Sequence, residues 1–203
     1  MQNTLFPNEK SSQIINTDGD VTYYPSFFSQ EESDQIMSDL IKNIEWKQEP
    51  IWMFGKKIMQ PRLTALYGDP NVAYGYSGII MKVYPWNEIL QTIKAKVETL
   101  SNTDFTHVLL NYYRNGQDSM GWHRDNEKNL GENPTIASVS FGISREFQLR
   151  KYETKKDKKS ILLTHGSLLM MQGETQHFWE HQIPKSNKII NPRINLTFRK
   201  VLG

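Results

Sequence analysis

An α+β domain built on a double-sheet jelly roll (a double-stranded β-helix), with flanking helices, is the fold class this sequence predicts. Three observations carry it. From Phe105 onward, short apolar, β-branched and aromatic runs recur every 8–15 residues or so, with turn signals between them. Ahead of them stand two segments whose apolar residues keep helical spacing. The length of 203 residues, with 37% hydrophobic and 11% aromatic residues, suits one domain with a real core and is short for two.

Taken in chain order, residues 1–20 are polar and turn-rich and read as a flexible arm, leaving 21–203 as a single domain. Residues 21–28 read as a short strand. Ser29 reads as the N-cap of a helix, with Glu31 and Glu32 in its first turn. Ile36, Met37, Leu40, Ile41 and Ile44 form the core-facing stripe of that helix. Residues 46–86 differ in character, with many aromatics, Gly and Pro among short strand-like pieces. Residues 53–57 read as a hairpin tip, and 66–69 and 74–78 as loops rather than core. Pro85 and Trp86 open a second helix that runs to about Leu100, with Ile89, Leu90, Ile93 and Val97 on one face. The candidate strands beyond it are 108–113, 136–143, 146–151, 160–163, 167–171 and 193–199. There is no internal repeat and no low-complexity segment.

Composition removes several chemistries. The chain has no cysteine, so disulfides, zinc–thiolate sites, iron–sulfur clusters and cysteine nucleophiles are excluded, and any metal is held by His, Asp or Glu. The formal net charge is only +2, so a nucleic-acid surface would be local. The N-terminus lacks the pattern of a signal peptide, and no apolar run approaches the roughly 20 residues of a membrane span. The expectation is a soluble intracellular protein, cytoplasmic or nuclear.

Two constellations carry chemistry. In Gly121-Trp122-His123-Arg124-Asp125, an extended backbone turns His123 and Asp125 to the same side, so both can reach one metal. With a second His they would make the two-His, one-carboxylate triad of non-haem Fe(II) oxygenases. Five His and nine Asp in the chain make a single His-x-Asp weak evidence alone. In residues 192–199, one face of a strand is Arg193, Asn195, Thr197 and Arg199, and the other is Ile194, Leu196 and Phe198. The polar face is either a solvated charged surface or a clamp for a small dianion. A third metal ligand would come late in the chain. His165, His177 and His181 are all candidates, and spacing does not choose among them.

His123-Arg124-Asp125, residues 136–142, residues 165–171 and the terminal 192–200 segment together resemble the AlkB family of Fe(II)/2-oxoglutarate-dependent dioxygenases, in particular its DNA-repair dealkylases. The likeness runs in order over roughly residues 50–203. It implies an enzyme using Fe(II), 2-oxoglutarate and O2 for oxidative demethylation of N-alkylated bases of the 1-methyladenine and 3-methylcytosine type. His123, Asp125 and His181 become the metal ligands. Arg193 and Arg199 become clamps on the two carboxylates, and Asn111, Tyr113 and Asn195 hydrogen-bond the cosubstrate. Residues 46–86 become a nucleotide-recognition lid over the 105–203 core. Phe54 matches the finger residue that fills the gap left by a flipped base, and Arg62 and Glu127 match substrate-side positions. Tyr74, Tyr76 and Trp122 offer ring faces for the extruded base.

The six basic residues of 150–159 either track phosphates or lie in a solvated loop. The basic cluster after the distal His of the duplex-gripping relative is thinned here to Lys185 and Lys188, which leaves DNA against RNA, and strandedness, open. The expected partner is alkylated DNA, with RNA as the alternative, and the chain is expected to act as a monomer with no protein partner. The competing expectations are an oxygenase of this class acting on RNA, a protein or a small molecule, and a non-catalytic jelly-roll binder.

Overall fold

A computed structural model describes residues 11–53, 56–70, 75–76 and 79–202, apart from the side chains of 51–53, 56–57, 75–76 and 79–80. Ser29 starts helix α1 (Gln30–Asn43) through a reciprocal cap. Its hydroxyl accepts from the Glu32 N–H, and the Glu32 carboxylate accepts from the Ser29 N–H at 2.8 Å. Ile36 and Leu40 are buried as the spacing predicts, but Ile41 is 42% exposed and lies off the stripe. Helix α2 (Glu88–Ser101) starts later than the Pro85-Trp86 reading, because Asn87 is the cap and accepts from the Leu90 N–H at 3.0 Å. Trp86 instead packs parallel to Phe198, ring centres 6.4 Å apart.

Sixteen strands follow one another among the described residues. The first eight are β1 (Ser12–Ile15), β2 (Asp20–Tyr24), β3 (Pro50–Met53), β4 (Lys56–Met59), β5 (Leu63–Gly68), β6 (Gly75–Tyr76), β7 (Ile79–Ile80) and β8 (Val83–Tyr84). After α2 come β9 (His107–Tyr113), β10 (Met120–His123), β11 (Ile136–Gly142), β12 (Arg145–Lys151), β13 (Lys159–Leu163), β14 (Ser167–Gln172), β15 (Trp179–Ile183) and β16 (Arg193–Arg199). A one-turn helix α3 (Thr175–Phe178) precedes β15.

A large sheet runs β1-β2-β14-β11-β16-β9-β5-β8, and a small one runs β10-β15-β12-β13. Every pair in them is antiparallel except β5 with β8. This is the jelly roll: two facing sheets whose inward residues alternate with outward ones. The last strand, β16, lies in the middle of the large sheet between β11 and β9. One apolar cluster fills the space between that sheet and the helices, around Leu40, Leu90, Val97, Val139 and Phe198. A second lies between the sheets, where Leu109, Leu169 and Met171 meet Phe147, Leu149 and Ile183. Cutting Leu40 or Leu90 to Ala in such surroundings costs about 2–5 kcal/mol.

Three sequence expectations change. Residues 12–15, read as part of a loose arm, form β1, because Ile15 pairs with Val21 and is buried in the core between the sheets. Residues 66–68, read as loop, belong to β5: Leu66 and Tyr67 are buried, and Tyr67 Oη accepts from the Glu45 N–H at 3.2 Å. Gly68 marks a close approach rather than a turn, since a Cβ there would meet the His107 ring at 2.4 Å. The strands β10 and β15, absent from the sequence reading, form half of the small sheet. The strands β3 and β4 pair where a hairpin is expected, and residues 54 and 55 lie outside the described residues. Among the described residues, no helix is long and apolar enough to cross a membrane.

Candidate metal centre

β10 and β15 are antiparallel neighbours, and their register sets His123 directly opposite His181. Both side chains point into the space between the sheets, with ring centres 4.2 Å apart. Asp125 follows two residues after His123. One ligand atom from each of His123, Asp125 and His181 lies within 4.8 Å of the others. This cross-strand pairing selects His181 from the three candidates. His177 bonds the Glu132 carbonyl at 2.6 Å on the exterior, and His165 accepts from the Gly142 N–H at 2.8 Å.

The protonation states suit a metal. His123 Nδ1 lies 2.9 Å from the Gly121 carbonyl, which can only accept, so the proton sits on Nδ1 and Nε2 is left as the donor atom. Burial pushes the His123 imidazole down, outweighing the opposing pull of Asp125. Burial, with His123 alongside, pushes His181 down to about 3. Its ring stacks on Phe147, centres 5.2 Å apart and 27° between planes. Both rings are therefore neutral at pH 7. Burial alone would raise the Asp125 carboxyl, but Arg199, His181 and His123 outweigh it and hold it at about 2. Arg199 Nη2 donates to Asp125 Oδ1 at 2.8 Å, and the Asp125 N–H donates to Gln176 Oε1 at 2.9 Å. Two neutral imidazoles and one carboxylate on the wall of a cavity fit Fe(II) and leave its other positions open.

Every residue of β16 is buried, so the face of Arg193, Asn195, Thr197 and Arg199 is turned into the cavity and is no solvated surface. Arg193 is 1% exposed, and Nη2 donates to Ser140 Oγ at 2.8 Å. Its Nε and Nη1 are buried with no hydrogen-bond partner. Burial, opposed by Tyr113 and reinforced by Arg145, lowers this guanidinium to about 10. A buried cation with two idle donors is costly unless an anion completes it, which is the fit expected of a 2-oxoglutarate carboxylate. Asn195 donates to Ser138 Oγ at 2.8 Å and accepts from Thr197 Oγ1 at 3.1 Å. Asn111 and Tyr113 line the same cavity.

The expected substrate-side residues are less uniform. Arg62 is buried and donates from Nε to Asn111 Oδ1 at 2.6 Å and from Nη1 to the Ser119 carbonyl at 3.2 Å, which makes it a support of the cavity wall. Trp122 alternates away from His123, and the Arg150 guanidinium covers its ring at 3.9 Å. Glu127 is partly buried. Its Oε2 has no partner, and burial, then Asp125, raises its carboxyl. Phe54 and Tyr74 lie outside the described residues, and Tyr76 is described only as backbone in β6. Of the basic 150–159 segment, Arg150 and Lys155 share Glu180, and Lys151 pairs with Asp18. Gln176, which accepts from the Asp125 N–H, and Arg145, which packs against the Tyr113 ring outside the cavity lining, are residues around this site that sequence reasoning missed.

The family described as the 2OG-Fe(II) oxygenase superfamily matches residues 20–199. The alpha-ketoglutarate-dependent dioxygenase alkB homolog 3 of Homo sapiens is 41% identical over 190 residues, covering 89% of this chain and 66% of the relative. The DNA oxidative demethylase ALKBH2 of Homo sapiens is 38% identical over 189 residues, covering 88% of this chain and 72% of the relative. The chain thus spans just under two thirds of the first of these and more of the second. The solved structure of OsALKBH1 superposes with a TM-score of 0.63 at 19% identity, covering 89% of this chain and 96% of that one, a likeness of fold.

Proposed function

The chain belongs to the 2OG-Fe(II) oxygenase superfamily, within it to the AlkB-type dioxygenases, and from that premise we propose that it removes N-alkyl groups oxidatively from nucleic-acid bases in DNA. The observation that carries the chemistry is the sharing of one cavity by the His123, Asp125 and His181 cluster and a buried Arg193 with two idle donors. The substrate class is supported by the relatives, one of which is named a DNA oxidative demethylase. When bound, Fe(II) and 2-oxoglutarate supply the oxidation: O2 and the cosubstrate become succinate and CO2, with one oxygen going to the N-methyl carbon, which leaves as formaldehyde.

The protein's own part is positioning. His123 Nε2, the Asp125 carboxylate and His181 hold the metal, and Arg199 fixes the carboxylate through Oδ1. Arg193 receives one cosubstrate carboxylate on Nε and Nη1, and Arg199 serves the other. Asn111, Tyr113 and Asn195 orient the molecule between them. Within residues 46–86, the segments on either side of the core strand β5 form the lid of a single domain, with Phe54 filling the gap left by a flipped base and Tyr74 and Tyr76 giving it ring faces. Glu127 offers a carboxyl oxygen towards the base. An intracellular location and a monomeric state accompany this reading.

The test is an anaerobic titration with Fe(II) and 2-oxoglutarate, followed by O2 and a 1-methyladenine oligonucleotide. Succinate and unmodified adenine formed together are the expected outcome, after which DNA, RNA and strand preference can be ranked. Succinate without base repair moves the substrate to RNA, protein or a small molecule. Absence of both succinate and unmodified adenine overturns the catalytic reading.

A further inference from the structure

Arg145 occupies a position that a jelly roll gives to an apolar side chain. Along β12 it shares the inner face with Phe147 and Leu149. It is 1% exposed, and its fork donates only to main-chain carbonyls: Nη1 to Asn115 at 3.1 Å, Nη2 to Asp118 at 3.0 Å and to Pro184 at 2.7 Å. The Asp118 carboxylate is committed elsewhere, to Arg114 Nε at 2.8 Å and Nη2 at 2.9 Å. The Arg145 and Arg193 guanidinium carbons lie 5.6 and 5.3 Å from the centre of the same Tyr113 ring, and so within about 11 Å of each other. Two buried cations, neither hydrogen-bonded to a carboxylate, therefore flank one ring: Arg193 lines the cavity beside Tyr113, and Arg145 stands against that ring from outside the lining. Two positive charges this close are stabilised further when the cavity beside Arg193 receives negative charge.

Resting on the dicarboxylate reading above, we propose that Arg145 is a positioning residue for the cosubstrate: its charge, beside Arg193, tightens the grip on the carboxylate that Arg193 receives and makes the pocket favour 2-oxo diacids over 2-oxo monoacids. It acts without touching the ligand. The competing role is a strut, since the same fork ties the 115–118 turn to the segment after β15.

The two roles separate in a binding experiment on the full chain loaded with Mn(II) without O2, titrated with 2-oxoglutarate and with 2-oxobutyrate, which lacks the distal carboxylate. Arg145→Gln weakens 2-oxoglutarate about tenfold, the size expected of a second unit charge some 10 Å away in a protein interior, and leaves 2-oxobutyrate within about twofold. Arg145→Lys keeps the charge and loses the fork, so it lowers the Tm but keeps the preference for the diacid. Equal weakening of both acids in Arg145→Gln overturns the proposal. So does a loss of preference in Arg145→Lys, which decides alone if the Gln variant does not fold. A wild-type protein that binds both acids alike is a different failure, that of the dicarboxylate pocket itself.

Discussion

The two faces of the small sheet carry the same kinds of residue and treat them in opposite ways. On its outer face, Arg150 stacks on Trp122 and pairs with Glu180 at 2.6 Å, and Lys155 joins the same carboxylate at 3.0 Å. On its inner face, five residues earlier in the same strand, Arg145 has three carbonyls and no hydrogen-bonded carboxylate, and Arg193 reaches towards it from the opposite sheet with two idle donors. Outside, the charges are balanced by the chain itself. Inside, Asp125 is balanced by Arg199, whereas Arg193 faces the cavity with two idle donors and Arg145 stands behind Tyr113 on carbonyls alone. The difference teaches where to look for a ligand: at the cations the fold leaves without an acid.

The largest expected effect is at the one balanced inner pair. Asp125→Ala removes the one carboxylate of the proposed metal centre and strips the buried Arg199 of its partner. Mn(II) affinity should fall by more than about 100-fold, beyond the loss seen for outer partners of a metal, and turnover should vanish. Unfolding of the metal-free variant should show a loss of about 3–5 kcal/mol. A variant that still binds metal normally would remove Asp125 from the centre.

Arg193→Met comes next. Charged hydrogen bonds are worth about 1.5–3 kcal/mol each, so 2-oxoglutarate binding should weaken at least tenfold. The Tm without cosubstrate should not drop, because two of the lost donors have no partner. A Tm that falls by several degrees would make the inner cation structural and erase the contrast between the faces.

The outer counterpart, Arg150→Met, should reverse the pattern. Stability falls by about 1–2 kcal/mol, since Lys155 remains on Glu180, and 2-oxoglutarate affinity stays put. The smallest effect is on pH dependence. Burial would raise the Glu180 carboxyl, but Arg150 and Lys155 outweigh it and lower the value below the ordinary 4.5. A depressed carboxylate contributes fully above its unfolded value and loses that contribution as pH falls through the folded one. Glu180→Gln should therefore flatten the decline of stability below about pH 4.5 in acid unfolding and change little at pH 7; an unchanged acid slope would detach Glu180 from it.

What could be read from the sequence was local. His123 and Asp125 are two residues apart, and the β16 face repeats with period two, so an extended backbone aligns each set without further information. Whether that β16 face met water or a cavity was not local, because its burial depends on the opposite sheet. His181 followed only from resemblance: the β10–β15 register that sets it opposite His123 joins strands 58 residues apart in sequence. Gln176 and Arg145 carried no signal at all, since their polar partners stand 51 residues away in one case and 27–39 in the other. Residues 66–69 misled because Gly68 and Asp69 look like a turn, whereas Gly68 answers to the His107 ring against it.

The place of β16 sets a timetable. Synthesis runs from the N-terminus, so the middle of the large sheet stays open until residue 199 has been made, on the order of 10–40 s at cellular elongation rates. His123, Asp125 and His181 all emerge before Arg193 and Arg199. A nascent chain, or one cut short of that strand, thus carries the His123, Asp125 and His181 cluster without Arg193 and Arg199, and without the strand that completes the middle of the large sheet. Competence and closure arrive together on the same seven residues.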